Sequence, residues 1–344
     1  MATVYKSFLN DDVTTTRTLL HEAIPITGSI ISGSIYAEEN IKNYSHGRFQ
    51  SVYDYPVLSS SANHILDLTV GVSSDSGYTV TNGASEKLQM YNQMAQMLVG
   101  HDEEGNIRRF DRDGDLIATS DKWDECVFIS FARLLSKDEI KKGTFSMTLG
   151  TGSALSDVFL ETATITDAGA ESDYRVNSPA GEYGVLYAGG EVPHIDAGNK
   201  VGLIYYQAGI VVLTPKIFID SSEANFTPGA DSLQATFEQS SIQTVCDMIR
   251  LRTHDLDFNN TIELNSTIYF CRVNHNEFNY SSNPTYLSSS QIVVKDQSLD
   301  SPVSYITSVG LYSSDNELLA TAKLSEPLKK TPENELIVRV RLDY

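Results

Sequence analysis

The sequence is poor in cysteine, in basic residues and in long apolar runs. Its three cysteines, Cys126, Cys246 and Cys271, lie far apart and form neither a CxxC pair nor the even set of a disulfide framework. We therefore expect free thiols and folding in a reducing compartment.

The longest apolar run, residues 201–214, is interrupted by two glycines and a glutamine, so the sequence predicts no membrane span. The first residues lack the basic and apolar segments of a secretory signal, and we expect a protein made in the cytoplasm.

Basic residues number 25 against 45 acidic residues, and the formal net charge is −20. An acidic chain repels the phosphates of nucleic acids and the anionic surface of a membrane. The charge therefore predicts that neither is a partner of this protein.

Strand signals dominate the chain. Segments rich in Val, Ile, Thr, Tyr and Phe recur between Gly, Ser, Asn, Asp and Pro, most clearly at residues 64–72, 125–135, 143–149, 201–213 and 266–273. Helical patterns are few. The sequence predicts a mainly β fold with a few short helices, built from β-sandwich or meander domains with α+β elements.

The best helical pattern covers residues 85–99, with Ser85 as its cap and Gly100 as its stop. Its apolar stripe consists of Leu88, Tyr91, Met94, Ala95 and Leu98. The methionines at 90, 94 and 97 are more typical of core filling than of a partner surface. A second helix is predicted at about 240–251 and a short one at about 14–23.

The length of 344 residues suits two or three domains. We expect an N-terminal arm plus a β-rich region with one helix at 1–100, a central β domain at 101–220 and a C-terminal β-meander docking domain at 221–344. The arm, residues 1–22, packs either on a neighbouring subunit or on its own domain.

The last segments predict a meander. A hairpin tip at Asp315 and Asn316 separates two strand patterns, and Pro327 and Pro332 are expected to break the chain before a final strand. In that strand, residues 336–343, apolar and mostly charged residues alternate.

The acidic run around Asp111, Asp113 and Asp115 resembles a Ca²⁺ loop only in its alternating carboxylates. An EF-hand requires Gly at its sixth position and Glu at its twelfth, where this chain has Leu116 and Lys122. We interpret the run as a hairpin turn, and whether it holds an ion stays open.

No catalytic motif is present. The seven histidines form neither HxH nor HExxH, and the glycines near residue 150 form neither a P-loop nor a nucleophile elbow. His275 and Glu277 come closest to a ligand cluster, but a polar loop explains them better. We predict no catalytic, cofactor or metal site. A cell-wall hydrolase and a tyrosine-lined carbohydrate-binding adhesin are the rival hypotheses from other classes.

Two stretches resemble a known family. Residues 306–312 (ITSVGLY) and 318–323 (LLATAK), with the preceding loop 278–285, resemble virion structural proteins of tailed bacteriophages. The same meander is similar to the baseplate-attaching domain of myovirus tail fibres, where it lies near the N-terminus and a shaft follows. Here it is C-terminal, which favours a tail or baseplate component over a whole fibre.

The resemblance implies a non-enzymatic structural protein in the virion that assembles through strand edges and loops. Its partners would be tail, baseplate, fibre or neck subunits and further copies of itself, with no cofactor. A neck, collar or capsid-associated position is the alternative. The residues expected to make the contacts are Phe278, Tyr280, Asn283, Pro284, Tyr305, Gly310, Tyr312 and Lys323.

Overall fold

A computed structural model describes most of the chain. The described residues are 5–27, 40–54, 63–115, 121–152, 158–189, 200–218, 233–281, 286–288, 291–292, 299 and 301–344. The chain forms two compact units, which we call the core unit, Leu20–Ile262, and the terminal unit, Met1–Leu19 with Glu263–Tyr344. The three regions expected from the sequence stay a prediction.

The fold is mainly β with four short helices among the described residues, as the sequence predicts. The strands are β1 Val13–Thr27, β2 Ile41–Asn43, β3 Gln50–Tyr53, β4 His64–Val72, β5 Phe110–Asp111, β6 Lys122–Trp123, β7 Glu125–Phe131, β8 Glu139–Ile140, β9 Ser146–Gly150, β10 Thr162–Thr166, β11 Arg175–Ser178, β12 Gly181–Gly189, β13 Lys200–Tyr205, β14 Ile210–Leu213, β15 Thr253–Val273, β16 Leu287–Ser288, β17 Gln291–Ile292, β18 Ser304–Tyr312, β19 Leu318–Lys330 and β20 Leu336–Asp343. The helices are α1 Ala84–Leu98, α2 Arg133–Ser136, α3 Leu233–Gln239 and α4 Ile242–Leu251.

The core unit is built on one antiparallel sheet. Its strands follow the order β15–β9–β10–β12–β13–β14–β7–β4–β3–β2, with residues 253–262 of β15 at one end. The central strands are buried on both faces, as β7 and β14 show. Side chains such as Val127 and Val211 enter one core cluster, whereas Phe128 and Val212 enter another. Burial on both faces explains why these strands have continuous apolar sequences and no alternation.

Helices cover both faces of this sheet. Tyr91, Ala95 and Leu98 of α1 pack in one cluster, and Val245 and Ile249 of α4 pack in the other. Both helices were predicted. The predicted cap of α1 is wrong, because Gly83 at φ 65° occupies the cap position and the Ser85 hydroxyl donates instead to the Glu86 carboxylate at 2.9 Å.

Among the three methionines of α1, Met90 is buried and Met94 packs against the core, whereas Met97 is exposed. The core-filling interpretation is therefore confirmed for two of the three.

The predicted helix at 14–23 is wrong, because these residues belong to β1. Four threonines and Val13 supply β-branched side chains, which prefer the extended backbone. Hydrogen bonds to β15 then stabilise the strand. This pairing lies far away in the sequence, so a local helical pattern could not reveal it.

Two predicted strands are shorter than expected. The apolar run 201–213 forms the hairpin of β13 and β14, whose turn contains Gly209 at φ 66°. The run 125–135 ends as a strand at Phe131 and continues into α2. Gln207 and Gly209 in the first run are turn signals that the strand prediction did not use, whereas Leu134 and Leu135 continue the apolar pattern of the second run beyond the end of its strand.

Candidate interaction surface

The terminal unit has a small core of its own. Leu311 of β18 packs with Val338 and Val340 of β20, and these side chains are 6–8% exposed. Half-buried apolar residues of β15 and β19 surround them. Side chains alternate along β20 between this core and solvent, as the sequence predicts. The final strand is paired along its length with β15, from Ser266 opposite Asp343 onwards.

The predicted hairpin of β18 and β19 is confirmed. Its tip contains Asn316 at φ 61°, and the Ser313 amide donates to the Glu317 carbonyl at 2.9 Å. Asparagine tolerates this left-handed conformation better than most residues. Pro327, however, does not break the chain, because it lies inside β19. The pairing is irregular there, which accommodates a residue without an amide hydrogen.

A buried lysine holds the loop that precedes the hairpin. Lys330 at the end of β19 is 0% exposed, and its Nζ donates to the carbonyls of His275 and Thr331 and to Oδ1 of Asn279, at 3.0, 2.7 and 2.8 Å. The Ser304 hydroxyl donates to the Phe278 carbonyl at 2.6 Å. These contacts stabilise residues 274–281 against the base of the hairpin.

The predicted contact residues lie on this unit, apart from two that are outside the described residues, Asn283 and Pro284. Phe278 and Tyr305 lie near the hairpin base, at 43% and 52% exposure. Gly310 and Tyr312 lie near the tip, about 20 Å away along an extended strand. Tyr280 is exposed on the loop, and Lys323 is exposed opposite Ser308. They therefore form no single compact site.

Near the tip, the rings of Tyr5 and Tyr312 meet edge to face at 4.9 Å between centroids. A Cβ atom on Gly310 would lie 2.9 Å from Cε2 of Tyr312. The glycine therefore makes room for the tyrosine ring. Sequence reasoning found Gly310 and Tyr312 but missed Tyr5, because nothing in the first residues indicates which strand they approach.

Exposed apolar side chains are concentrated in the terminal unit, although it is the smaller unit. Leu319, Ile337 and Tyr344 are 68%, 66% and 71% exposed. Leu319 and Ile337 belong to different sheets and alternate with core residues, so they lie on separate outer faces of this unit. Exposed apolar side chains of this size are typical of sites of protein contact. The charged and apolar alternation of β20 was the sequence signal that could have identified Ile337.

The carboxylates of Asp111 and Asp113 in the acidic turn accept hydrogen bonds from groups of the same turn and its flanking strands. Asp111 is 1% exposed and accepts a hydrogen bond from Lys122 Nζ at 2.5 Å across β5 and β6. Burial raises the pKa of the Asp111 carboxyl, and Lys122 opposes this rise. The amides of Asp113 and Asp115 donate to the carboxylate two residues earlier, each at 3.3 Å. The hairpin interpretation agrees with this pairing, while residues 116–120 lie outside the described part.

Ser51, His64 and Asp67 are the residue types of a hydrolytic triad, but their hydrogen bonds connect them in a different order. Ser51 Oγ donates to Asp67 Oδ1 at 2.5 Å, and His64 Nε2 lies 2.9 Å from the same oxygen. The hydrogen bond to Asp67 raises the pKa of His64. A nucleophilic serine requires the histidine as its neighbour, whereas here the carboxylate lies between them. The geometry is that of a structural network joining β3 and β4.

His275 and Glu277 of the loop pair with different residues and not with each other. His275 Nδ1 lies 3.2 Å from Glu335, whereas Glu277 pairs with Lys6. This agrees with the polar-loop interpretation and not with a shared ligand site. None of the helices in the described ranges is long and apolar enough to span a membrane.

Comparison of the chain with protein families, with curated proteins and with solved structures found no match. The family resemblance of the terminal meander therefore stays a prediction.

Proposed function

We propose that this chain is a non-enzymatic structural component of a tailed-phage virion, in the tail or baseplate. The terminal unit would dock on neighbouring virion proteins through strand edges and loops, and the core unit would be the body of the subunit. In the assembled particle, several copies would occupy equivalent positions.

The observation that carries the proposal is the number of large apolar side chains that the small terminal unit exposes. Its strands bury only a small core, while Leu319, Ile337 and Tyr344 face solvent. An assembly protein buries such side chains against its neighbours. The resemblance of segments 306–312 and 318–323 to baseplate-attaching meanders supports docking through the same unit.

Electron cryo-microscopy of the phage particle that encodes this chain tests the proposal. We expect symmetric copies at the tail or baseplate, with the terminal unit in contact with another chain. Absence of the chain from the purified particle, checked by mass spectrometry, would contradict the proposal. A position at the neck or capsid would retain the structural role and correct the location.

A matched pair of variants tests the surface itself. Ile337→Asp places a charge on the exposed apolar face of β20, whereas Thr162→Asp places one on an exposed polar position of β10 in the core unit. We expect only Ile337→Asp to lower incorporation into particles, while both variants keep the folded circular dichroism spectrum. Equal incorporation of both variants would contradict docking through this surface.

A further inference from the structure

Among the residues that the structure describes, strand β20 has one open edge. It pairs along its length with β15 on one side, and no other strand in the described parts of the chain pairs with it. An edge strand presents backbone donors and acceptors that another strand can bind.

The register shows which groups face this open edge. Asn265 and Tyr344 exchange both backbone hydrogen bonds, at 3.0 and 2.8 Å. In an antiparallel pair, residues bonded in this way alternate with residues whose N–H and C=O point away from the partner. The outward groups therefore belong to Ile337, Arg339, Arg341 and Asp343.

The same residues also expose their side chains. Arg339 and Arg341 lie opposite Phe270 and Ile268 of β15, whose half-buried side chains form the apolar background of this face. Nε of Arg341 donates to Asp343 Oδ1 at 2.7 Å, so one carboxylate is already present at the end of the strand. The edge remains cationic on balance, in a chain whose net charge is −20.

We propose that the open edge of β20 binds an extended segment of another protein that carries carboxylates at alternate positions. The segment would add a strand to the sheet through the outward backbone groups. Its carboxylates would lie across from Arg339 and Arg341, where guanidinium groups bind carboxylates through paired hydrogen bonds. Apolar residues between them would extend the face formed by Val338 and Val340.

A second copy of β20 fits this edge poorly. In an antiparallel pair centred on Val340, which pairs the whole strand, Arg339 of one copy would face Arg341 of the other. A register that pairs Arg339 with Asp343 leaves Arg341 facing itself, and one that pairs Arg341 with Asp343 leaves only residues 340–344 opposite one another. In a parallel pair, each arginine would face itself. Like charges directly opposite one another destabilise a sheet. Charge complementarity therefore favours an acidic strand from a different protein.

This inference rests on the proposed function for the existence of a protein partner, but it can be tested separately. The probe is the fluorescein-labelled peptide acetyl-SVEVEVS-amide, and the control peptide is acetyl-SVKVKVS-amide. We expect the acidic peptide alone to bind the full chain. In hydrogen exchange followed by NMR, it should protect the amides of Ile337, Arg339 and Arg341, which exchange rapidly in the free protein.

Variants distinguish the contribution of the arginine charges to peptide binding from that of backbone pairing. The double variant Arg339→Glu, Arg341→Glu should weaken binding of the acidic peptide about tenfold or more. Lys329→Glu, at an exposed position of β19 outside the expected contact residues, is the control charge reversal and should leave binding unchanged. Arg339→Pro removes an outward amide without removing a bond to β15, so the chain should fold but lose the peptide.

Three outcomes would overturn the inference. The double variant could bind the acidic peptide as tightly as the parent, or protection could appear away from β20. Sedimentation could also show a dimer that protects the same amides, which would make a second copy the occupant. A chain that binds the peptide but is absent from the particle would contradict the virion proposal and leave the edge site intact.

Discussion

At the scale of single residues, Lys330 shows how a buried polar side chain can hold a surface loop in place. Its ammonium group is fully buried, and three uncharged oxygen acceptors of described residues replace water around it. A buried charge is costly unless it is hydrogen-bonded in this way. The loop with Phe278 and Tyr280 therefore depends on a residue some fifty positions later.

Lys330→Met should destabilise the protein by about 3 kcal/mol, because the three oxygen acceptors lose their donor while methionine has a similar volume. Chemical denaturation measures the free energy of unfolding. Lys329→Met, at the exposed neighbouring position, is the control and should change the free energy by less than about 0.5 kcal/mol. Equal effects of the two substitutions would show that the buried hydrogen bonds do not stabilise the loop.

At the scale of elements, the contact between α1 and β4 depends on one glycine. A Cβ atom on Gly71 would lie 2.7 Å from the backbone nitrogen of Tyr91 and 2.8 Å from its Cα. Backbone atoms of a packed helix cannot move aside as a flexible side chain can. The helix can therefore approach the strand closely only because position 71 has no side chain.

Gly71→Ala should lower the free energy of unfolding by about 3 kcal/mol, because the helix must shift away from the sheet. Gly77→Ala is the matched control, since a Cβ atom there meets nothing within 4 Å. Thermal unfolding followed by circular dichroism measures both variants. A small effect of Gly71→Ala would mean that the helix packs less closely than this geometry indicates.

The elements also show what local patterns miss. The helix α1 and the strand β20 were predicted because their periodicities of 3.6 and 2 match the burial of one face. Strand β1 was mistaken for a helix because its stability comes from β15. The break between β13 and β14 was missed because the continuous apolar pattern of two strands buried on both faces outweighed the turn signals of Gln207 and Gly209.

At the scale of the whole molecule, the net charge of −20 determines which partners the chain repels. The cationic edge of β20 is a local exception, and a polyanion as large as DNA would meet the acidic remainder of the surface. Long-range repulsion should therefore prevail over the two arginines.

A gel-shift measurement with a short DNA duplex tests this expectation. At about 50 mM salt, where phosphate contacts are strongest, we expect no complex at protein concentrations up to about 10 µM. A lysine-rich peptide serves as the positive control. A complex that dissociates as the salt concentration rises would contradict the expectation and reveal a basic patch that the net charge conceals.

The candidate surface was only partly predictable. Gly310, Tyr312 and the alternation of β20 were visible as sequence patterns. Tyr5 and Lys330 were not, because their roles depend on contacts with residues far away in the chain.

The sequence by itself determined the mainly β composition, the helices α1 and α4, the terminal hairpin and the acidic charge. These depend on propensity, periodicity and composition, which act over a few residues. Only the tertiary structure decided that the threonine-rich arm is a strand, that Lys330 anchors a distant loop and that one edge of β20 has no partner among the described strands. Each of these depends on which strands pair, and pairing brings together residues that no local pattern relates.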